Sequence, residues 1–314
     1  MNLRFKTNLL EHTKAVGAWA QARGARASVD AADLSLQVTR GPRTLHLWPQ
    51  FVGKRDGQRL VYFDTADRHA IGFVGWLPYK PQAWDLSRSK LVFKQAATEL
   101  GIPTPVRWAG PAEADAPFLV KRASGAFGYG MHGPYPQGHA LTLADGEFCE
   151  AFHLGRIARA WYWSGRLTVL ELFDMPAVTG DGRSTYEQLL RQASAERPDD
   201  FATLAALQGV QPGDVLPAGR RVVCDYRYVS PFNPTLYANA NRLPRLAGTP
   251  LAERFAEAGR RLWPRIPGPP QRQAGFVLDA IVDTDDRPWF LEINSNPQGH
   301  PDGYAAMLDA CLPA

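Results

Sequence analysis

The chain has 314 residues, enough for a real buried core and for about two domains. Apolar residues make up 45% and charged residues 21%, which excludes wholesale disorder, and no apolar run approaches the roughly eighteen residues of a membrane-spanning helix. The net charge of +4 comes mostly from arginines spread along the chain, which favours anionic ligands over a dedicated nucleic-acid module, for which no motif is present.

Residues 1–87 read as a mixed α/β segment. Leu9 to Arg23 has helical spacing, and Leu34–Val38, Thr44–Trp48 and Leu60–Phe63 alternate as short strands. Eight aromatic residues between Trp48 and Trp84 are expected to fill its small core. Ser89 to Leu100 predicts a helix ended by Gly101 and Pro103. Strands follow at Pro117–Lys121, Phe148–Phe152, Ala158–Trp163, Leu167–Phe173 and Arg221–Tyr228, with helices at Thr185–Ala195 and Pro250–Leu262. Two apolar strands close the pattern, Gly275–Val282 and Pro288–Asn294. Cys149, Cys224 and Cys311 lack metal-ligand spacing, and no secretory signal is evident at the start. The expectation is a reduced, cytoplasmic protein.

The last two strands flank the polar run Asp283–Arg287 and predict an antiparallel hairpin. With the turn centred on Asp285 and Asp286, paired positions sum to 571, which sets Asp279 opposite Glu292. Directly opposed side chains have Cβ atoms roughly 5 Å apart, so two carboxylates there need something positive between them. Asn294, two residues beyond Glu292, points the same way. Two carboxylates and an amide oxygen suit Mg²⁺. Protonation of one carboxyl, or an arginine paired with both, would satisfy the same geometry.

The strand ending at Lys121 runs into Ser124, Gly125, Gly128 and Gly130, whose bare backbone suits a loop folded over phosphates. There is no Gly-Lys-Ser/Thr, so this is not a P-loop. Only seven lysines occur in 314 residues, about one position in forty-five. Two of them, Lys90 opening the helix and Lys121 closing the strand, fall where phosphates would need countercharge.

Together these segments resemble the ATP-grasp superfamily. Ser89–Lys94 before Gly101-Ile102-Pro103-Thr104-Pro105 is similar to its lysine-bearing helix and turn. Phe118–Lys121 with the glycine loop resembles its phosphate-covering hairpin, Cys149–Arg156 its adenine hinge, and the closing hairpin its magnesium motif. Val178-Thr179-Gly180-Asp181-Gly182-Arg183-Ser184-Thr185 is similar to a segment of cyanophycin synthetases and related glutathione-synthetase-like ligases; read locally, it is also a turn with a helix cap. The likeness spans about Lys90 to His300. D-alanine–D-alanine ligases carry an arginine two residues before the metal aspartate, where this chain has Val277.

The resemblance implies an α+β ATP-grasp fold, with two α+β lobes sandwiching ATP behind a divergent N-terminal mixed α/β domain. The divisions would be 1–87, 88–152 and 153–314. Adenine would meet the hinge backbone at Glu150, Ala151 and Phe152. Lys90 and Lys121, with Ser124, Gly125, Gly128 and Gly130, would hold the phosphates. Asp279, Glu292 and Asn294 would hold Mg²⁺. A substrate carboxylate would take the γ-phosphoryl group and an amine would displace phosphate, with Lys121 and Arg227 as catalytic cations and Arg227 facing the oxyanion. Among His69, His132, His139, His153 and His300, the last lies nearest the motif as an acceptor contact. The partners implied are small carboxylates and amines, with neither nucleic acid nor membrane, and a homodimer is the assembly to test. A phosphotransferase and a non-catalytic nucleotide-binding regulator are the alternatives.

Overall fold

The computed structural model describes residues 3–55, 59–65, 70–82, 84–125, 130–194, 198–228, 230, 232, 240–267, 273–296 and 298–314. The chain is a mixture of helices and antiparallel sheets, an α+β architecture.

The N-terminal part holds helix α1 (Leu3–Ala22) and strands β1 (Arg26–Val29), β2 (Leu36–Arg40), β3 (Arg43–Arg55), β4 (Arg59–Phe63) and β5 (Ala70–Leu77). The long β3 pairs with β2 through its first half and with β4 and β5 through its second. Val16 and Trp19 of α1 pack on Leu36, Val38, Leu47, Phe51, Phe73 and Trp76. This core also contains Tyr304, Met307 and Leu308 of the last helix, so residues far apart in sequence complete one another.

Helices α2 (Asp85–Arg88) and α3 (Lys90–Glu99) follow. Ser89 caps α3 through its side chain, and Gly101, at φ +65°, ends it as its sequence predicts. Strands β6 (Arg107–Trp108), β7 (Phe118–Arg122), β8 (His132–Tyr135) and β9 (Glu147–Ala151) form a sheet in the order β6-β9-β7-β8. Next come β10 (Arg156–Trp163), β11 (Arg166–Asp174), β12 (Ala177–Thr179), α4 (Tyr186–Ala193), α5 (Phe201–Ala206) and β13 (Arg221–Val223). The strand predicted over Arg221–Tyr228 stops at Val223. The Asp225 Oδ1 accepts the N–H groups of Tyr226 and Arg227 at 2.8 and 3.1 Å, a local bond that turns the chain out of the ladder.

The remaining elements are α6 (Leu243–Leu246), α7 (Pro250–Leu262), β14 (Gly275–Val282), β15 (Pro288–Asn294) and α8 (Tyr304–Cys311). Strands β11-β10-β14-β15 make an antiparallel sheet. Alternation gives it two distinct faces. Ala158, Ala160, Tyr162, Leu170, Phe276, Leu278, Ala280, Val282, Phe290 and Ile293 meet Phe93 and Ala97 of α3 and Leu251, Phe255 and Leu262 of α7 in the main core. The opposite face carries Glu171, Arg159, Asp279, Glu292 and Asn294 in adjoining positions.

The β14–β15 hairpin departs from uniform pairing. Asp279 pairs with Glu292, Leu278 with Ile293 and Val277 with Asn294, as the sum of 571 requires, but Ala280 pairs with Phe290 and Val282 with Pro288. A β-bulge between Asp279 and Ala280 absorbs the shift and leaves Leu291 unpaired. Phe290 faces the helices while Leu291 and Glu292 both line the opposite side.

Candidate functional site

The β10-β14-β15 face and the β7–β9 sheet enclose a cleft of about 220 Å³. It brings together Lys90, Lys121, Gly130, Glu150, Ala151, Phe152, Arg227, Asp279 and Glu292 from the predicted set. Ser124 lies exposed at the end of β7, and Gly125 is held from the cleft side through its carbonyl, which accepts Lys90 Nζ at 2.9 Å. Asn294 lies beside the facing carboxylates, its amide nitrogen 3.0 Å from Asp279 Oδ2. Gly128 and His69 lie outside the described residues.

Three ranks of side chains cross the cleft face of the sheet. In register across β11, β10 and β14 run Phe173, Ile157 and Ile281; then Glu171, Arg159 and Asp279, extended by Glu292 on β15; then Val169, Trp161 and Val277, extended by Asn294. The first rank belongs to an apolar cluster with Leu119, Met131, Phe152, Met175 and Leu291, most of which lines the cleft. The second is almost wholly charged.

The two facing carboxylates do not share one cation. Arg159 Nε and Nη2 donate to Asp279 Oδ1 and Oδ2 at 2.7 and 3.3 Å, while Lys90 Nζ lies 2.7 Å from Glu292 Oε2. Burial alone would lower the Arg159 pKa, but the adjoining Asp279 carboxylate reverses this and holds it above its ordinary value. Among the described residues no group of three or more histidine, cysteine, aspartate or glutamate side chains is placed to hold a metal ion. The predicted set differs in using an amide as its third donor. Two carboxylates facing in register on a cleft wall, 17% and 25% exposed at the side chain, fit a hard divalent ion, provided that Lys90 leaves Glu292.

Glu150 is buried at 1% exposure between two lysines. Its Oε1 pairs with Lys121, and Lys94 Nζ lies 2.5 Å from Oε2, at an angle that makes a charge contact rather than a directed hydrogen bond. Burial opposes ionisation of Glu150, and the two ammonium groups more than offset this, so its pKa falls below the ordinary value. Lys94 moves down as well, because burial outweighs the attraction of Glu150. With all three ionised, the group carries one net positive charge beside the cleft, which favours an anion there.

Two sequence expectations change. The N–H groups of Ala151 and Phe152 are taken by Val106 O at 2.9 Å and Pro117 O at 2.8 Å, so they do not face a base; among the described residues the next N–H groups, His153 and Leu154, have no backbone acceptor. Arg227 lines the cleft, yet its guanidinium is engaged by Asp200 at 2.7 Å and Asp225 at 3.0 Å, so it is not an unengaged cation for an oxyanion. Arg159 and Lys94 are the cations that sequence reasoning passed over. Lys94 was visible as one of the scarce lysines, one helical turn beyond Lys90. Nothing local marked Arg159, whose role comes from a long-range strand pairing.

The remaining histidines divide clearly. His132 bonds Tyr135, and His139 stacks on it. His153 stacks on Trp289 at the cleft wall, and burial lowers its pKa. His300 packs against Trp161 and Glu171. The Gly180–Thr185 run is a turn and cap: Asp181 Oδ1 accepts from Arg183 and Ser184 N–H, and Thr185 caps α4 reciprocally with Gln188. None of its residues lines the cleft. The three cysteines are free, and no described helix is long and apolar enough to cross a membrane.

No family model and no curated protein matches the sequence. Among solved structures the chain is similar to a bifunctional glutathione synthetase from Pasteurella multocida, at 13% identity over 96% of this chain and 43% of that one, with a TM-score of 0.44. It is also similar to a VanG D-Ala:D-Ser ligase from Enterococcus faecalis, at 12% identity over 71% and 60% of the two chains, with a TM-score of 0.39. A D-alanine–D-alanine ligase from Bacillus anthracis, solved with ATP, matches at 12% identity over 72% and 60%, with a TM-score of 0.34. The chain spans about half the length of these proteins.

Proposed function

We propose that the chain is an ATP-dependent carboxylate–amine ligase of ATP-grasp type that works through an acyl phosphate, with an amino acid or small peptide as substrate. The observation that carries this reading is the order of the cleft: an apolar slot, a net-positive buried lysine group, and two facing carboxylates, set side by side on adjoining strands.

In this reading the base enters the slot between Leu119, Ile157, Met175, Ile281 and Leu291, with the His153–Leu154 backbone at its edge. Lys121, backed by Glu150 and Lys94, and Lys90 hold the phosphates. Asp279, Glu292 and Asn294 would hold Mg²⁺, which when bound would draw charge from the terminal phosphates. A substrate carboxylate oxygen attacks the γ-phosphorus, the bond to the β-phosphate oxygen breaks, and ADP forms. Amine attack at the acyl carbon then expels phosphate. Arg159, rather than Arg227, is the cation beside the reacting carboxylate. No protein nucleophile is required.

The test is ADP release over a panel of carboxylic acids and amines, offered singly and in pairs. A ligase releases ADP and phosphate in proportion to an amide product, whereas a phosphotransferase yields a stable phosphorylated acceptor. Glu292→Gln removes one charge and little volume, so turnover should drop by at least about 100-fold, with the circular dichroism spectrum unchanged. Undiminished turnover in that variant would remove the metal assignment.

A further inference from the structure

Lys90 is placed to serve two anions in turn. Its Nζ lies 2.7 Å from Glu292 Oε2 and donates to Gly125 O at 2.9 Å, so it bridges the acidic pair of the β14–β15 hairpin and the start of the glycine-rich run after β7. Both side chains of the ion pair line the cleft, Lys90 at 19% and Glu292 at 25% exposure, so a ligand in the cleft meets the contact directly.

The backbone that carries Lys90 is held on two sides. Its N–H donates to Ala123 O at 2.8 Å, just past β7. Ahead of it, Ser87 Oγ lies 2.9 Å from the hydroxyl of Ser295, the residue that follows Asn294, and Ser295 Oγ donates to Gln82 O at 2.8 Å. Helix α3 thus starts at a fixed place relative to both the glycine-rich run and β15, and the flexible four-carbon stem of Lys90 is the part that moves. Arg159 is the contrast. It donates twice to Asp279 and lies against the Tyr228 ring, 4.0 Å from its centroid, which holds its planar head in place.

The charges of this quartet cancel. Asp279 is balanced by Arg159 and Glu292 by Lys90, beside the net-positive group of Lys94, Glu150 and Lys121. A free divalent cation therefore meets no net negative charge here. It also meets a like charge at close quarters, since Mg²⁺ sits about 2.1 Å from its oxygen ligands and Lys90 Nζ already contacts one of them. A polyphosphate changes both terms. It supplies negative charge and gives the ammonium a second partner, and Glu292 is then released to the ion.

We infer that Lys90 is the exchangeable counter-ion of the acidic pair: it holds Glu292 against a free divalent cation and passes to the phosphates when a nucleotide arrives, so that ion and nucleotide are admitted together. The inference rests on the nucleotide and metal assignments proposed above, not on the ligation step. Arg159 stays on Asp279 throughout, because a carboxylate has about four acceptor positions and can take an ion beside the guanidinium.

Mn²⁺ is the probe, because it takes the same oxygen ligands and its free aqua ion gives an electron paramagnetic resonance signal that fades on binding. Without nucleotide, the full chain carrying Lys90→Met should bind Mn²⁺ at least about 10-fold more tightly than the native chain, and Lys90→Gln should do the same. Adding Glu292→Gln to Lys90→Met should abolish the gain. Arg122→Gln is the control: it removes one charge from the same cleft at a side chain 51% exposed, leaves Glu292 paired, and should match the native chain. Circular dichroism checks that each variant is folded. With a non-hydrolysable ATP analogue, the native chain should give a bound-ion spectrum distinct from that of Mn²⁺ with the analogue alone, and Glu292→Gln should lose it. No gain in either Lys90 variant, or an equal gain in Arg122→Gln, overturns the exchange, and the metal assignment stands if the ternary spectrum is present. Absence of that spectrum in the native chain overturns the metal assignment and the exchange with it.

Discussion

Glu150→Gln isolates the buried charge group. In the native chain one carboxylate at 1% side-chain exposure lies between Lys94 at 6% and Lys121 at 7%. Glutamine keeps the volume and removes the charge, so two ammonium groups remain buried without their counter-ion. Removing one partner of such a group costs about 3–5 kcal/mol, a large share of the 5–15 kcal/mol that typically holds a domain folded. The pH dependence has a definite sign. Burial already lowers the Lys94 pKa, and Glu150 works against that fall. Without Glu150 it falls further, so over a wider range below its ordinary 10.5 the unfolded chain binds more protons than the folded one, and folding stability rises with pH there. The deficit of the variant should therefore narrow between about pH 7 and about pH 9.5. Urea unfolding followed by tryptophan fluorescence at both values measures it. A deficit under about 1 kcal/mol at neutral pH, or one that does not narrow on the alkaline side, would refute the reasoning.

Two further outcomes test the frame around the cleft. His12 is buried against Tyr304, and burial first, then the neighbouring His300, lowers its pKa to about 3. Its depressed value means that the unfolded chain takes up a proton near 6.5 while the folded one resists until about 3, so stability falls as pH drops through that window. His12→Asn removes this titration and should lose about 3 kcal/mol less than the native chain between about pH 7 and about pH 4, read from thermal unfolding. Gly259→Ala should destabilise by about 2–3 kcal/mol in urea. A Cβ there would lie 2.3 Å from the Tyr162 ring, which cannot retreat because it stacks on Phe276 at 4.8 Å and donates to Phe255 O at 2.8 Å.

The features legible in the sequence were those fixed by local rules. The closing hairpin announced itself through two apolar runs and a polar turn, and the pairing of Asp279 with Glu292 followed from counting. Ser89, Gly101 and Pro103 bracketed α3 because caps and breakers act within a few residues. Arg159 was invisible for the opposite reason. Which strand flanks Asp279 depends on residues 120 positions apart finding one another, and no periodicity encodes that. Separation along the chain likewise hid the Lys94–Glu150 contact, although both residues lay in recognised segments. Arg221–Tyr228 read as a strand because its propensities are high, and a single aspartate side chain accepting from the next two backbone N–H groups overrode them. The turn half of the final hairpin was misregistered by one residue, and the pairing of Asp279 with Glu292 came out right because the bulge absorbed the difference.

That bulge makes two tasks on one strand separable. Leu291 is the extra residue, and with it removed the order Phe290, Glu292, Ile293, Asn294 would alternate faces without interruption. Excision of Leu291 would thus strip one apolar wall from the cleft while the acidic pair and its amide neighbour kept their orientation. Under the proposed function, selectivity for the base would change in such a strand by insertion, deletion or exchange at a single position, with the ionic half insulated from the change.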